Sequence, residues 1–279
     1  MSAAPAWLPA AMMIASGSIH AVVNAILKGG SDKLAGRAVI DGTSALILLP
    51  ALAFVPLPHG AWGWIAASAA LHCLYLFALV KAFESSDFSA AYPILRGSAP
   101  LLTATLAIGL FGEAASPREI AGIALIGGAV TVLVVGRHVA LAGLGWALLT
   151  GVTIAVYTVI DAQGVRAAPS PASFTAWLFV VMGLCVVTSF GLLSRGRVFR
   201  TARSQWRPGV AAGALSILTY GLALQAFALG PTAPLAALRE TGMVTALAIS
   251  VLFLGERVTW PRAASVLGIL GGAALILTR

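Results

Sequence analysis

Apolar stretches of about twenty residues follow one another from end to end of this chain, and they limit its fold more than any motif does. A helix needs roughly 20 apolar residues to cross about 30 Å of hydrocarbon. About ten such stretches can be read, near 6–27, 38–57, 62–82, 89–111, 118–136, 140–161, 172–194, 208–229, 232–254 and 262–277. The runs are continuous and lack the strict alternation of a membrane β-barrel. Of the 279 residues, 59% are hydrophobic and 9% charged. A soluble domain carries about 25% charge, so a water-facing surface could not be built from this composition. The expected fold class is an all-α polytopic membrane protein. Its connections are too short for an extramembrane catalytic head.

The N-terminal run is long enough to span, and no Lys or Arg precedes it, so it does not read as a cleavable signal. Cys73 and Cys185 both fall inside spans and read as small apolar core residues. The net charge of +8 follows the positive-inside rule. Connections after odd-numbered spans carry Lys28, Lys33, Arg37, Lys81, Arg137, Arg195, Arg197, Arg200, Arg203, Arg207, Arg257 and Arg262. The other side carries only Arg118, Arg166 and Arg279. The bias puts both termini outside a cell inner membrane. The basic run Arg195–Arg207 reads as a cytoplasmic loop beside anionic lipid, so no nucleic-acid partner is expected.

Residues 79–129 repeat in 223–273. Arg96 matches Arg239, Gly112-Glu113 matches Gly255-Glu256, Pro117-Arg118 matches Pro261-Arg262, and Gly127-Gly128 matches Gly271-Gly272. Weaker matches precede these: Ser16-Gly17 with Thr150-Gly151, and Ala21-Val22 with Ala155-Val156. The unit is about five spans, giving halves 1–137 and 138–279. Five is odd, so the second half enters the membrane from the opposite side. Inverted repeats of this kind build many secondary transporters, with substrate bound near the midplane.

Tyr92-Pro93-Ile94-Leu95-Arg96-Gly97 with Phe111-Gly112-Glu113, and Leu238-Arg239-Glu240-Thr241 with Leu254-Gly255-Glu256, resemble the EamA family of the drug/metabolite transporter superfamily. The resemblance covers nearly the whole chain. It implies a proton- or gradient-coupled permease, often an exporter, and not an enzyme. The superfamily's small multidrug exporters use a Glu in the first span. Here that span has His20 and Asn24 and no acid, so the resemblance does not extend to cation–proton exchange by that route.

An arginine at the centre of a span costs about 2.5–3.5 kcal/mol, so such residues face the protein interior. Arg96 and Arg239 each sit about seven residues into their spans, roughly 10 Å deep. They approach the midplane from opposite sides and could clamp an anionic group together. Tyr92 shares a helix face with Arg96 at i, i+4, and His72 shares one with Tyr75. Tyr220 and Gln225 lie in the eighth span. These residues are the expected substrate-binding set. His20, Asn24, Glu240 and Asp161 are candidates for proton coupling, with Glu240 the one acid deep in a span and Asp161 a possible helix-end residue. Glu113 and Glu256 stop matching spans. As gates, they would pair with Arg118 or Arg257.

The expected activity is movement of a small anionic or zwitterionic metabolite by alternating access, with a proton or other ion as candidate co-substrate. A homodimer stays open. Membrane lipids are the expected surroundings. No cofactor, metal ligand set or catalytic residue is expected. Two other readings are a cationic exporter that uses Glu240 and an intramembrane enzyme acting on a lipid-borne substrate.

Overall fold

The structure is a computed structural model. It describes residues 5–28, 33–85, 88–134, 141–254 and 258–278. The described residues contain helices and turns and no strand. The helices are α1 (Leu8–Lys28), α2 (Lys33–Leu48), α3 (Trp62–Ser85), α4 (Phe88–Gly109), α5 (Pro117–Thr131), α6 (Leu141–Ala167), α7 (Pro171–Leu193), α8 (Arg197–Leu229), α9 (Thr232–Leu238), α10 (Gly242–Leu254) and α11 (Trp260–Leu277). Six helical segments are long and apolar enough to cross a membrane. The chain is therefore a multi-pass membrane protein.

Large apolar side chains point outward along the helices: Leu46, Leu110, Leu184, Leu192, Leu252 and Leu267 are all exposed. In water this surface would drive aggregation; in lipid it is the solvated face. Trp7, Trp62 and Trp260 are exposed at helix starts, where indole rings suit the headgroup boundary. Inside, Phe174, Phe179, Phe190 and Phe227 are fully buried.

Three segments depart from the expected spans. The second begins at Lys33 and not near residue 38, because Arg37 and Asp41 pair at 2.9 Å one helical turn apart. That pairing offsets the cost of carrying both charges inside. The same helix ends early. Pro50 has no N–H for a fourth-residue bond, and Leu49–Ala53 tightens into a 3-10 turn. The basic run after Arg195 is helical from Arg197 onward and not a loop. Arg195 and Gly196 turn the chain at φ 50° and 80°. The helix then kinks at Gln205, three residues before Pro208. The ninth span is broken: Arg239–Thr241 forms a 3-10 turn between α9 and α10.

Packing follows a regular scheme. α3 and α4 both pack on α6, while α8 and the α9–α10 segment both pack on α1. α2 packs on α8 as α3 does on α7; α2 also meets α7, and α5 meets α11. The α5–α11 crossing is close because a Cβ at Gly122 would lie 2.7 Å from the Gly272 carbonyl oxygen, and one at Gly272 would lie 2.6 Å from that of Gly122. Of the matched glycine pairs, Gly127 and Gly272 make such tight approaches. Gly128 faces open space.

Candidate functional site

The centre of the molecule is built from two crossings that only glycine permits. A Cβ at Gly17 on α1 would collide with the carbonyl oxygen of Arg239, at the start of the 3-10 turn. A Cβ at Gly151 on α6 would collide with the Ser98 hydroxyl and come within 3.2 Å of the Leu95 carbonyl oxygen, next to Arg96. Each glycine thus lets a helix press against the turn that carries an arginine.

The two arginines are held differently. Arg96 Nε lies 2.9 Å from Glu240 Oε2, and both side chains are buried. Arg239 has no carboxylate within 4.0 Å among the described residues. Its guanidinium sits 5.2 Å from the centre of the Tyr220 ring, a cation–π arrangement. Its Nε is buried without a hydrogen-bond partner among the described residues. The symmetric clamp expected from the sequence is therefore divided: Arg96 is matched by Glu240, while Arg239 lies over an aromatic ring and has no ion pair among the described residues. Glu240 turns away from its neighbour Arg239, as adjacent helical residues must, and reaches across to α4.

Aromatic rings gather beside Arg239. His72 lies 4.0 Å from Tyr157, 5.8 Å from Tyr220 and 6.3 Å from Tyr75, centre to centre. Tyr75 is 5.5 Å from Tyr157, and Phe179 is 6.2 Å from Tyr220. His72 Nδ1 lies 2.9 Å from the Ser68 carbonyl oxygen. A carbonyl can only accept, so Nδ1 carries the proton and Nε2 is left as an acceptor. Tyr220 donates its hydroxyl to Asp161 Oδ2.

Asp161 is not a helix-end residue. It is fully buried, six residues before the end of α6. Its Oδ1 accepts no hydrogen bond among the described residues, with the Ser68 side chain beside it. Nor is Glu240 the one acid deep in a span, since Asp41 is fully buried too. Sequence reasoning missed Arg37 and Asp41, whose spacing of four was the available signal. The charge of Arg37 reaches His20, His72, Tyr75 and Tyr157, so this ion pair belongs to the same centre. Tyr157, four residues before Asp161, was legible in the same way.

His20 is half-buried and lies within electrostatic reach of all three arginines. Gln225 is not joined to the group. Five residues past Tyr220, it points about 140° away around the helix, and no contact links it to these rings among the described residues. The side chains of Asn24 and Tyr92 lie outside the described residues, as do Glu256 and Arg257.

At one end of the bundle Glu113 makes a second cluster. Its partner is Arg166, not Arg118, with Nη1 donating to Oε1 at 2.7 Å. Glu113 also accepts the Thr232 N–H at 2.7 Å and the Thr232 hydroxyl at 2.6 Å. Arg166 further donates to the carbonyl oxygens of Phe227 at 2.9 Å and Gly230 at 2.8 Å. These bonds tie the chain after α4, the end of α6, the end of α8 and the start of α9 into one latch. Burial alone would raise the Glu113 pKa; the Thr232 hydroxyl, the Arg166 guanidinium and the Thr232 N–H outweigh it and hold the carboxyl below its usual range.

Buried charges at the meeting of broken and glycine-crossed helices, in a bundle sheathed with apolar side chains, make a candidate site inside the membrane. The model of the EamA-like transporter family matches residues 141–278. By this second half the chain belongs to the EamA-like transporter family. No curated protein matches the chain. A solved structure titled "Crystal structure of protein" is similar over 97% of this chain and 95% of its own, at a TM-score of 0.73 and 16% identity. That likeness is one of fold, and it extends through the first half as well.

Proposed function

We propose that this transporter moves small anionic or zwitterionic metabolites across the cell inner membrane. It does so by alternating access between two inverted five-helix halves. The observation that carries the anionic reading is Arg239: a cation deep in the bundle, backed by a tyrosine face and without a carboxylate partner among the described residues. A buried guanidinium whose Nε has no hydrogen-bond partner among the described residues is completed by a carboxylate, phosphonate or sulfonate. Arg96, matched by Glu240, holds the two halves in register instead of binding substrate. The same ion pair argues against a cationic exporter built on Glu240, because a cation there would have to displace Arg96.

The packing scheme supports inverted halves. Treating α9–α10 as one span and exchanging each span with the one five places on turns the α3–α6 contact into α8–α1. It likewise turns α4–α6 into α9–α1 and α2–α8 into α7–α3, and leaves α2–α7 and α5–α11 unchanged. Each of these contacts is present. The paired crossings at Gly17 and Gly151 obey the same exchange.

The test is a thermal-shift screen of the purified chain against anionic, zwitterionic and cationic metabolites, since binding to the folded state raises its apparent stability. Anions or zwitterions should stabilise the wild type and not Arg239→Gln. In proteoliposomes the same substitution should cripple uptake of the stabilising solute and leave membrane insertion intact. Stabilisation by cations alone, or wild-type transport by Arg239→Gln, refutes the reading.

A further inference from the structure

This inference rests on the anionic reading of Arg239 and concerns what must accompany the anion. Three arginines and three carboxylates meet at the centre. Arg37 pairs with Asp41 at 2.9 Å and Arg96 with Glu240 at 2.9 Å. Arg239 and Asp161 make no ion pair within 4.0 Å among the described residues and are linked by Tyr220, whose ring faces the guanidinium and whose hydroxyl donates to the carboxylate. With all six groups ionised the centre is neutral when empty. A bound monoanion would leave one uncompensated negative charge far from water, which is costly in a low-dielectric interior.

One proton arriving with the anion removes that charge, and the geometry says where it goes. Protonating Asp41 or Glu240 would break an ion pair and strand an arginine. A proton on His20 would add a cation facing three arginines, and one on His72 a cation facing Arg37 and Arg239. Asp161 has no basic group within 4.0 Å among the described residues, and its Oδ1 accepts no hydrogen bond of normal geometry there, with only the Ser68 hydroxyl beside it. A proton on Oδ1 leaves the Tyr220 hydroxyl bonded to Oδ2. The groups that reach Asp161 among the described residues are the Ser68 hydroxyl from α3, Tyr157 from α6 itself, Tyr220 from α8 and Arg239 from the broken span. α7 and α9 carry no charged or histidine side chain.

We infer that Asp161 is the proton-carrying group and that a monoanion and one proton bind together, the anion on Arg239 and the proton on Asp161 Oδ1. Neutralising Asp161 removes the negative charge that offsets Arg239 through Tyr220, so the arginine attracts the anion more strongly. The anion in turn favours the proton by the same factor, as linkage requires. No covalent bond is exchanged other than the O–H bond of the acid.

Benzoate is the probe, because its carboxylate matches Arg239 and its ring matches the Tyr220, His72 and Tyr157 faces. Calorimetric titration of the full-length chain in buffers of different ionisation heat counts the protons taken up per benzoate. The wild type should take up close to one proton wherever Asp161 starts ionised. Its benzoate affinity should fall about tenfold for each pH unit above the Asp161 midpoint. Asp161→Asn should bind benzoate with no proton uptake and a flat pH profile. Tyr220→Phe keeps the ring beneath Arg239 and should still take up the proton at a shifted midpoint. Benzoate binding to the wild type without proton uptake overturns the inference and leaves the anion site standing. Uptake that survives in Asp161→Asn also overturns it. Failure of benzoate to bind at any pH overturns the anion reading and the coupling with it.

Discussion

Replacing Glu113 with glutamine should loosen one end of the bundle without touching its centre. The substitution keeps one carbonyl oxygen for Arg166 and places an NH2 group against the Thr232 N–H, where a carboxylate oxygen accepted at 2.7 Å. Donor then faces donor, and the bonds that remain lose their charge assistance. Hydrogen bonds to charged groups contribute about 1.5–3 kcal/mol each. Arg166 keeps 29% of its side chain exposed and Glu113 11%, so water replaces part of what is lost and the surface discount applies. A net loss of about 1–3 kcal/mol corresponds to roughly a 5–150-fold shift between closed and open ends. Leu235, buried just inside the latch on α9, reports the opening. In a background lacking Cys73 and Cys185, Leu235→Cys should react with a membrane-impermeant maleimide in proportion to the open fraction. Glu113→Gln should speed that reaction by the stated factor. An unaltered labelling rate would show that the latch bonds hold nothing shut, and the gating argument would fail.

Acid should act on the same latch in a defined direction. The folded-state carboxyl of Glu113 lies below its usual range, so its contribution is complete above that range and is lost as pH falls through the lowered value. Labelling of Leu235→Cys, normalised to the unfolded chain, should stay flat from neutral into mild acid and rise only below the ordinary carboxylate range. Gly17→Ala should cost about 1–3 kcal/mol as an overpacked crossing and displace Arg239; thermal unfolding and loss of anion stabilisation would both read it. Glu240→Gln leaves Arg96 buried beside a neutral group and should cost about 3–5 kcal/mol, whereas Arg96→Met with Glu240→Leu should recover most of the loss. Thermal melts of the single and double variants give the comparison.

The helical membrane fold was legible because a span is specified locally: twenty apolar residues suffice, whatever they later touch. Arg96, Arg239, His72, Tyr75 and Tyr220 were legible as candidates because polar groups inside apolar runs have to face one another. Their pairing was not legible. Nothing near Arg96 in sequence points to Glu240, 144 positions away, because the contact exists only after α4 and the broken span pack together. Arg37 and Asp41 were hidden for a different reason. They stand at the edge of an apolar run, where charges normally mark a connection, and their mutual neutralisation carries the helix through them. The latch fell outside local reading as well. Glu113, Arg166 and Thr232 each sit beside a Gly, Ala or Pro that reads as a loop, and only the bundle brings them within bonding distance.

The three-residue turn at Arg239–Thr241 also has a mechanical meaning. A 3-10 turn advances 120° and about 2.0 Å per residue, against 100° and 1.5 Å in an α-helix. Rewinding these three residues into α geometry would swivel α9 against α10 by about 60° and shorten the rod by about 1.5 Å. Arg239 and Glu240 lie on the swivel itself, so a small change in coiling would sweep one guanidinium away from its tyrosine and drag the other's carboxylate partner with it. The break is a crank, with its throw set by the difference between two ways of winding the same backbone.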